Sequence, residues 1–446
     1  YGMRMYGILQ ENPYQMAEDI DGVGFRMADA IAEKIGIRTD SDYRIRSGIL
    51  YVLSQSMAEG NLYLPKEELI HQTAELLCIP RDAIEPHIAN LMMDKKLVIK
   101  ENCIYSMAAY YAENNVAAML LSLRSLPEKT EEDAVERELL HLESSDNLQL
   151  DPLQRRAVIQ SVQNGVFLLT GGPGTGKTTT INVMIRYFLA NGKNLALTAP
   201  TGRAAKRMSE TSNKEAKTIH RLLEMGFGMD SDELTFMKNE EDPIDADVVI
   251  LDEVSMVDIV LMYSLLRAIK SGTRLLIVGD SDQLPSVGAG NVLKDLIDSE
   301  VINTVRLNEI FRQAQESMIV VNAHKINKGE PLKLNVKGKD FFFIKKEGDD
   351  ILQEIVGVVS ERLPKFYGVD KLKDIQVLSP MRKGTLGVNN LNIELQKSLN
   401  PPSKYKTEEV FSKRTFRVGE KVMQIKNNYT RKWQSEDGSN SGHGIY

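Results

Sequence analysis

The stretch Leu168-Leu169-Thr170-Gly171-Gly172-Pro173-Gly174-Thr175-Gly176-Lys177-Thr178-Thr179-Thr180 decides how the chain is read. From Gly171 to Thr178 it fits G-x-x-x-x-G-K-[ST]. The apolar run 166–169 before it reads as a buried strand, and the apolar-periodic run 181–189 after it reads as a helix. Strand, glycine loop and helix in that order are the context in which this pattern cradles phosphate. Glycines let the backbone wrap a polyphosphate with its N–H groups turned inward. The helix N-terminus adds partial positive charge beneath the phosphates. Gly172, Pro173, Gly174, Thr175, Gly176, Lys177, Thr178 and Thr179 are therefore expected to line a nucleoside triphosphate. Lys177 bridges the outer phosphates in this reading, and Thr178 ligates Mg²⁺. A glycine-rich turn with a casual lysine would not bring both flanks with it.

Downstream, residues 195–199 read as a second strand. It runs into Pro200-Thr201-Gly202-Arg203, a polar loop at a strand's C-terminal edge, where open α/β sheets bind ligands. Residues 224–246 carry little helix signal and read as a β-hairpin insertion around Leu234-Thr235-Phe236. The run Asp247-Val248-Val249-Ile250-Leu251-Asp252-Glu253 follows Lys177 by about 75 residues and reads as a buried parallel strand ending in two acids. Asp252 can hold Mg²⁺ through water, and Glu253 can polarise an attacking water. Another buried strand, from Arg274, ends in Gly279-Asp280-Ser281-Asp282-Gln283, which sets Gln283 where a γ-phosphate sensor would lie. Arg312, in Leu307-Asn308-Glu309-Ile310-Phe311-Arg312-Gln313, is a candidate arginine finger; such a group is worth about 10³ to 10⁵ in rate, roughly 4 to 7 kcal/mol.

Upstream, nine acids between 127 and 151 face two basic residues, Lys129 and Arg137. This segment reads as a solvated helix plus linker, with the main domain boundary near Asp146. Residues 43–107 give three helices and a short β-hairpin turning at Glu101-Asn102, a pattern that resembles a winged helix, and 108–125 continue as a helix. Such modules bind DNA or serve as spacers and protein contacts, and the residues do not choose between these. Residues 13–36 give two short helices joined by Gly22-Val23-Gly24, which resembles a helix-hairpin-helix. In that family backbone amides of the turn reach a DNA phosphate; a hairpin used only for packing is the other reading.

The 446 residues allow two to four domains with ample core. No apolar run approaches the length needed to span a membrane, and no membrane partner is expected. Two cysteines, Cys78 and Cys103, lie far apart without metal spacing, as expected of free thiols in a reducing cytoplasm. A net charge of −7 argues against a uniformly basic coat but leaves room for a local nucleic-acid track.

With Gly171–Thr178, Ala199–Ala204, Asp252-Glu253, Gly279–Pro285 and Leu307–Gln313 in this order, the chain resembles superfamily 1 DNA helicases. The wording Asp280-x-x-Gln283-Leu284-Pro285-Ser286-Val287-Gly288-x-Gly290 is similar to the RecD/TraA branch (superfamily 1B). Within it, the chain resembles the stand-alone RecD-like helicases with an N-terminal helix-hairpin-helix extension, also called exodeoxyribonuclease V alpha chain. The resemblance implies an α/β fold: RecA-like P-loop NTPase lobes, each a parallel sheet flanked by helices, behind the all-α hairpin and winged-helix-like region. It implies ATP and Mg²⁺ as cofactors, 5′→3′ movement on single-stranded DNA, action at single-strand/duplex junctions in repair or recombination, and repair proteins as partners. Gln154 would read adenine, while Gln283 and Arg312 would couple γ-phosphate to the lobe interface. Pro200, Thr201, Gly202, Arg203 and His220 would touch the DNA backbone. The 224–246 hairpin would be the strand-splitting pin with Phe236 as wedge. Ser379-Pro380-Met381-Arg382-Lys383-Gly384 would end a second-lobe strand, with Arg382 on a DNA phosphate.

The domains expected are thus 1–40 helix-hairpin-helix, 41–126 winged-helix-like, 127–149 acidic linker, 150–303 first lobe, 304–400 partial second lobe, and 401–446 the start of an inserted SH3-like domain. Phe416 to Ile425 resembles the opening strands of that insert, and residues 402–432 hold nine Lys and Arg against three acids. The family's later motifs are not recognised after 393, so the chain is read as a piece that binds ATP but hydrolyses it weakly. A nucleotide-switched DNA-binding scaffold without unwinding is the alternative.

Overall fold

The computed structural model describes residues 12–16, 24–36, 38, 41–125, 130–146, 148–227, 234–309, 315–348, 350–412, 414–423, 428–434 and 441–445. They fall into two compact units, 1–332 and 333–446.

The first unit opens with helix α1 (Phe25–Ile35), whose preceding residue Gly24 is exposed at the helix N-cap. Gly22 and Val23, expected beside it, lie outside the described residues, as do residues 17–19 of the first expected helix. Helix α2 (Asp42–Ala58) starts where the Ser41 hydroxyl accepts from Arg44 N. Tyr14, Phe25 and Tyr51 stack in sequence, 5.7 and 5.2 Å between centroids, and tie the hairpin region to α2. Strand β1 (Tyr63–Pro65), helices α3 (Lys66–Leu77) and α4 (Glu85–Met93), and strands β2 (Leu97–Lys100) and β3 (Cys103–Ser106) complete the module. Its sheet has three antiparallel strands in the order β1-β3-β2, one more than the expected hairpin. The added strand is three residues long and ends in Pro65. It stands at the sheet edge, where a missing N–H is harmless.

Helix α5 (Met107–Arg124) starts at the Ser106 cap and buries Ala109, Ala112, Val116, Leu120 and Leu123 along one face. Those residues belong to the core beneath the large sheet, which also takes in Leu62 and Tyr105, so α5 packs with the large sheet as well as with the winged module to which 41–126 was assigned. Helix α6 (Glu132–Asp146) corrects a second expectation. Glu132, Asp133 and Glu136 face solvent, but Glu143 is held by Arg155 and the Leu150 amide, and Val135 and Leu139 are fully buried against the opposite face of the sheet, so the expected helix is packed rather than solvated. The division between compact units falls at 332/333, not near Asp146.

Helix α7 (Pro152–Gln163), strand β4 (Val166–Gly171), helix α8 (Lys177–Ala190), strand β5 (Leu195–Ala199), helix α9 (Gly202–Ser212) and strand β6 (Ala216–Thr218) follow in order. The short helix α10 (Ile219–Leu222) leads to the hairpin β7 (Met225–Phe227) and β8 (Leu234–Phe236). Next come β9 (Val248–Leu251), α11 (Ile259–Arg267), β10 (Arg274–Gly279), α12 (Val292–Asp298), β11 (Asn303–Leu307) and α13 (Met318–Asn327). Six strands form one parallel sheet in the order β11-β4-β10-β9-β5-β6. The faces alternate residue by residue. Val166, Leu168, Val249, Leu251, Leu275 and Ile277 look toward α5 and α11, while Phe167, Leu169, Val248, Ile250, Leu276 and Val278 look toward α6, α7 and α8. That is why β4 and β9 read as unbroken apolar runs: every residue of both is buried. Strand β11 pairs with β4 from Asn303 to Leu307, so the first sheet extends past the boundary expected at 303.

The second unit contains α14 (Asp350–Gly357), a π-helical turn (Val358–Arg362), α15 (Leu363–Tyr367) and α16 (Val388–Leu399). Two antiparallel pairs follow, β12 (Glu408–Phe411) with β13 (Arg414–Arg417) and β14 (Asn428–Gln434) with β15 (Ser441–Ile445). The strand expected to end at Ser379 is not formed: residues 375–379 make no ladder. The opening strands expected at 416–425 also shift, since the first pair spans 408–417 and 418–423 are not in a strand.

Candidate nucleotide and DNA site

The site forms where β4, β9 and β10 end together at the C-terminal edge of the sheet, as the ladder registers β10–β4 and β10–β9 require. Residues Gly171 to Gly176 turn there into α8. Gly174 and Gly176 have φ of 75° and 85°, the left-handed region that side chains avoid, which is why the loop needs glycine at both. The Thr175 hydroxyl is buried and donates to Gly172 O at 2.9 Å. Lys177 Nζ donates to the carbonyls of Gly171 and Gly172, and lies 3.9 Å from Asp280 Oδ2. Thr178 is exposed and Thr179 half-buried on the first turn of α8.

Gln154 is almost wholly buried beside the loop. Its side chain closes a capping box with Asp151 at the start of α7, accepting from Asp151 N at 3.1 Å, and its amide donates to Gly176 O at 3.4 Å. Asp252 and Glu253 follow β9 directly. Glu253 N donates to Asp252 Oδ1 at 2.8 Å, and Glu253 takes the left-handed φ of 54°. Burial pushes the Asp252 carboxyl above the ordinary carboxylate range, against the pull of the Glu253 amide, Lys177 and Arg207. Burial and the neighbouring Asp252 push Glu253 up as well, while Lys177 and Arg207 oppose. Two acids and a lysine thus share one poorly solvated edge, the environment in which a metal or a phosphate would find its charge matched.

Asp280, at the end of β10, had no role in the sequence reading. It is buried, accepts from Asp282 N at 3.0 Å and faces the phosphate-loop lysine. A strand ending in Gly-Asp was the signal available. Gln283 is exposed three residues on, beside Leu284 and Val287 with 86% and 91% of their surfaces open. His324 gave no signal at all. It comes from α13 and sets Nε2 3.1 Å from Pro173 O, across 151 residues of sequence. Arg312, the expected finger, lies outside the described residues.

Among the residues expected to touch DNA, Pro200, Thr201, Gly202 and Arg203 sit together at the start of α9. Thr201 caps that helix by accepting from Ala204 N at 3.3 Å, and Arg203 is exposed. His220 is half-buried; burial lowers its pKa and Asp258 opposes. Its ring lies 5.7 Å from that of Phe236, which packs against the core at the base of the β7–β8 hairpin. Phe236 is therefore not a free wedge; the hairpin tip, 228–233, lies outside the described residues. Arg382 is exposed in the second unit, in a loop where the Ser379 hydroxyl donates to Leu386 O at 2.7 Å.

Three family models match the chain. An AAA domain covers 154–289, the HHH domain of ATP-dependent RecD2 DNA helicases covers 1–63, and the SH3 domain of ATP-dependent RecD-like DNA helicases covers 391–445. The ATP-dependent RecD2 DNA helicase of Deinococcus radiodurans is 30% identical over 435 residues, 94% of this chain and 58% of that protein. The chain is RecD2-like. The AAA match makes the first sheet a nucleotide-binding P-loop domain. The RecBCD enzyme subunit RecD of Mycobacterium tuberculosis is 39% identical over 168 residues, 32% of the RecD2-like chain and 28% of the subunit. A solved structure, the Pif1 helicase of Candida albicans, aligns over 48% of each chain with 23% identity and a TM-score of 0.31. The RecD2-like chain spans just over half the length of the Deinococcus relative. No helix among the described residues is long and apolar enough to cross a membrane.

Proposed function

We propose that the protein is an ATP-dependent DNA helicase that moves 5′→3′ on single-stranded DNA and opens single-strand/duplex junctions during repair or recombination. The observation that carries this is the convergence of Lys177, Asp252, Glu253 and Asp280 at one sheet edge beside a phosphate loop, in a RecD2-like chain. The loop amides and Lys177 hold the outer phosphates, with the lysine exchanging the carbonyls of Gly171 and Gly172 for phosphate oxygens. Glu253 is the base that orients and deprotonates water, since burial and Asp252 raise its proton affinity. Gln154 stands at the loop's base, and reading adenine would require its amide to release the Asp151 N–H and the Gly176 carbonyl that it now holds. Among the described residues no group of three or more acids, histidines or cysteines could cage a metal. That fits Mg²⁺, which takes one or two protein oxygens, here Thr178 and Asp252, and fills its shell with phosphate and water. The ion would supply charge neutralisation on the phosphates.

Thr201, Gly202 and Arg203 form the DNA-facing start of α9, and within the second unit exposed Arg382 is taken as a separate phosphate-binding residue. Lys177→Ala is expected to lower DNA-stimulated ATP hydrolysis about 10²-fold or more and to abolish unwinding of 5′-tailed duplexes. Binding to DNA should remain. Unwinding from a 3′ tail alone would overturn the polarity; nucleotide binding with no unwinding from either tail would leave a nucleotide-switched scaffold.

A further inference from the structure

We infer that His324 is a positioning residue for the phosphate loop: its Nε2–H holds the Pro173 carbonyl outward and so aims the next amide, Gly174 N–H, into the phosphate cradle. The inference rests on the nucleotide-site reading above. A trans peptide is planar, with C=O and N–H pointing to opposite sides. Fixing the Pro173 carbonyl therefore fixes the direction of the Gly174 N–H. Pro173 has no N–H of its own, and the carbonyl oxygen can only accept, so the ring nitrogen 3.1 Å away is the donor. The neighbouring loop carbonyls are held from within the loop and the first turn of α8, Gly172 O by Thr175 and Lys177 and Gly171 O by Lys177. Pro173 O takes its donor from α13, on a different part of the fold.

The packing is fitted to this contact. A Cβ built on Gly172 would come within 2.5 Å of His324 Cε1, so the glycine leaves the space the ring fills. Helix α13 is fixed in turn by its Ser317 cap, which accepts from Val320 N at 3.3 Å, and by fully buried Asn322. Helix α13 also follows the 310–314 segment that carries Arg312.

The test uses the full chain, a methylanthraniloyl-ATP probe with Mg²⁺, and three forms of the protein. His324→Leu keeps bulk and removes the donor. His324→Gln keeps an amide N–H at the position of Nε2. Losing a hydrogen bond of ordinary strength should weaken probe binding about five- to tenfold in His324→Leu, with KM for ATP rising and kcat changing less. His324→Gln should recover most of the affinity even where its melting temperature matches that of His324→Leu. Wild-type affinity in His324→Leu overturns the inference, as does a His324→Gln variant as weak as His324→Leu, which would mean that the ring only packs. Failure of the wild-type chain to bind the probe would instead overturn the nucleotide-site reading itself.

Discussion

The two units handle the same kind of sequence differently. In the first, the apolar runs at 166–169, 248–251 and 275–278 become parallel strands with every side chain buried. In the second, Phe342, Phe343 and Ile344 are about half exposed, and Leu378 is 88% exposed. Among the described residues of the second unit, Val359 and Leu391 are the buried apolar side chains. An apolar run becomes a buried strand only where flanking strands take its backbone hydrogen bonds and helices cover both faces. The first unit supplies α5 and α11 below and α6, α7 and α8 above; the runs at 341–344 and 375–378 form no ladder.

The largest expected effect tests that contrast directly. Phe167→Ala removes a fully buried ring between α7 and α8, and should cost about 3–5 kcal/mol in denaturant unfolding followed by circular dichroism. Leu378→Ala should change stability by about 0.5 kcal/mol or less. Equal losses from the two substitutions would break the comparison.

The same contrast explains what could be read in advance. The phosphate loop and the cores of β4, β5, β9 and β10 were legible because strands buried on both faces leave continuous apolar runs ending in polar tips. Strand β1 was missed because three residues cannot display a period. The buried face of α6 was hidden by its acids, since Val135 and Leu139 are two residues in a helix of fifteen. Strand β11 was assigned to the wrong lobe because only Val305 and Leu307 in it are buried, the weak signature of a sheet edge. His324 was out of reach for another reason. Its partner is a backbone carbonyl, which every residue carries, so no pattern of side chains marks the pair.

A smaller effect probes how tightly the covering helices are set on the sheet. A Cβ on Gly288 would lie 2.2 Å from Asp258 Oδ2, while Asp258 Oδ1 caps α11 by accepting from Leu261 N at 2.8 Å. Gly288→Ala must displace that cap or the loop after β10, at a cost of about 1–3 kcal/mol. Shortening the cap with Asp258→Ser in the same chain should recover part of the loss, because serine still caps a helix. Strict additivity of the two substitutions would show that the contact does not determine how α11 sits.

The smallest effect carries the comparison into a single strand. Strand β9 is stabilised along its length by burial, yet it is followed directly by Asp252, whose charge burial disfavours. A carboxyl with a folded pKa above its unfolded value contributes stability that is complete below the unfolded pKa, about 3.9, and is lost as pH rises through the folded pKa. At neutral pH the ionised Asp252 therefore weighs against the fold. Asp252→Asn keeps an oxygen to accept from Glu253 N and removes both that burdened charge and its repulsion of Glu253. Without nucleotide or metal, Asp252→Asn should melt slightly above the wild type at pH 7, with the gap closing toward pH 4, while ATP hydrolysis falls. An Asn variant that melts at or below the wild type at pH 7 would mean that Lys177 and Arg207 already compensate the acid, and that the catalytic edge of the sheet is as well satisfied as its core.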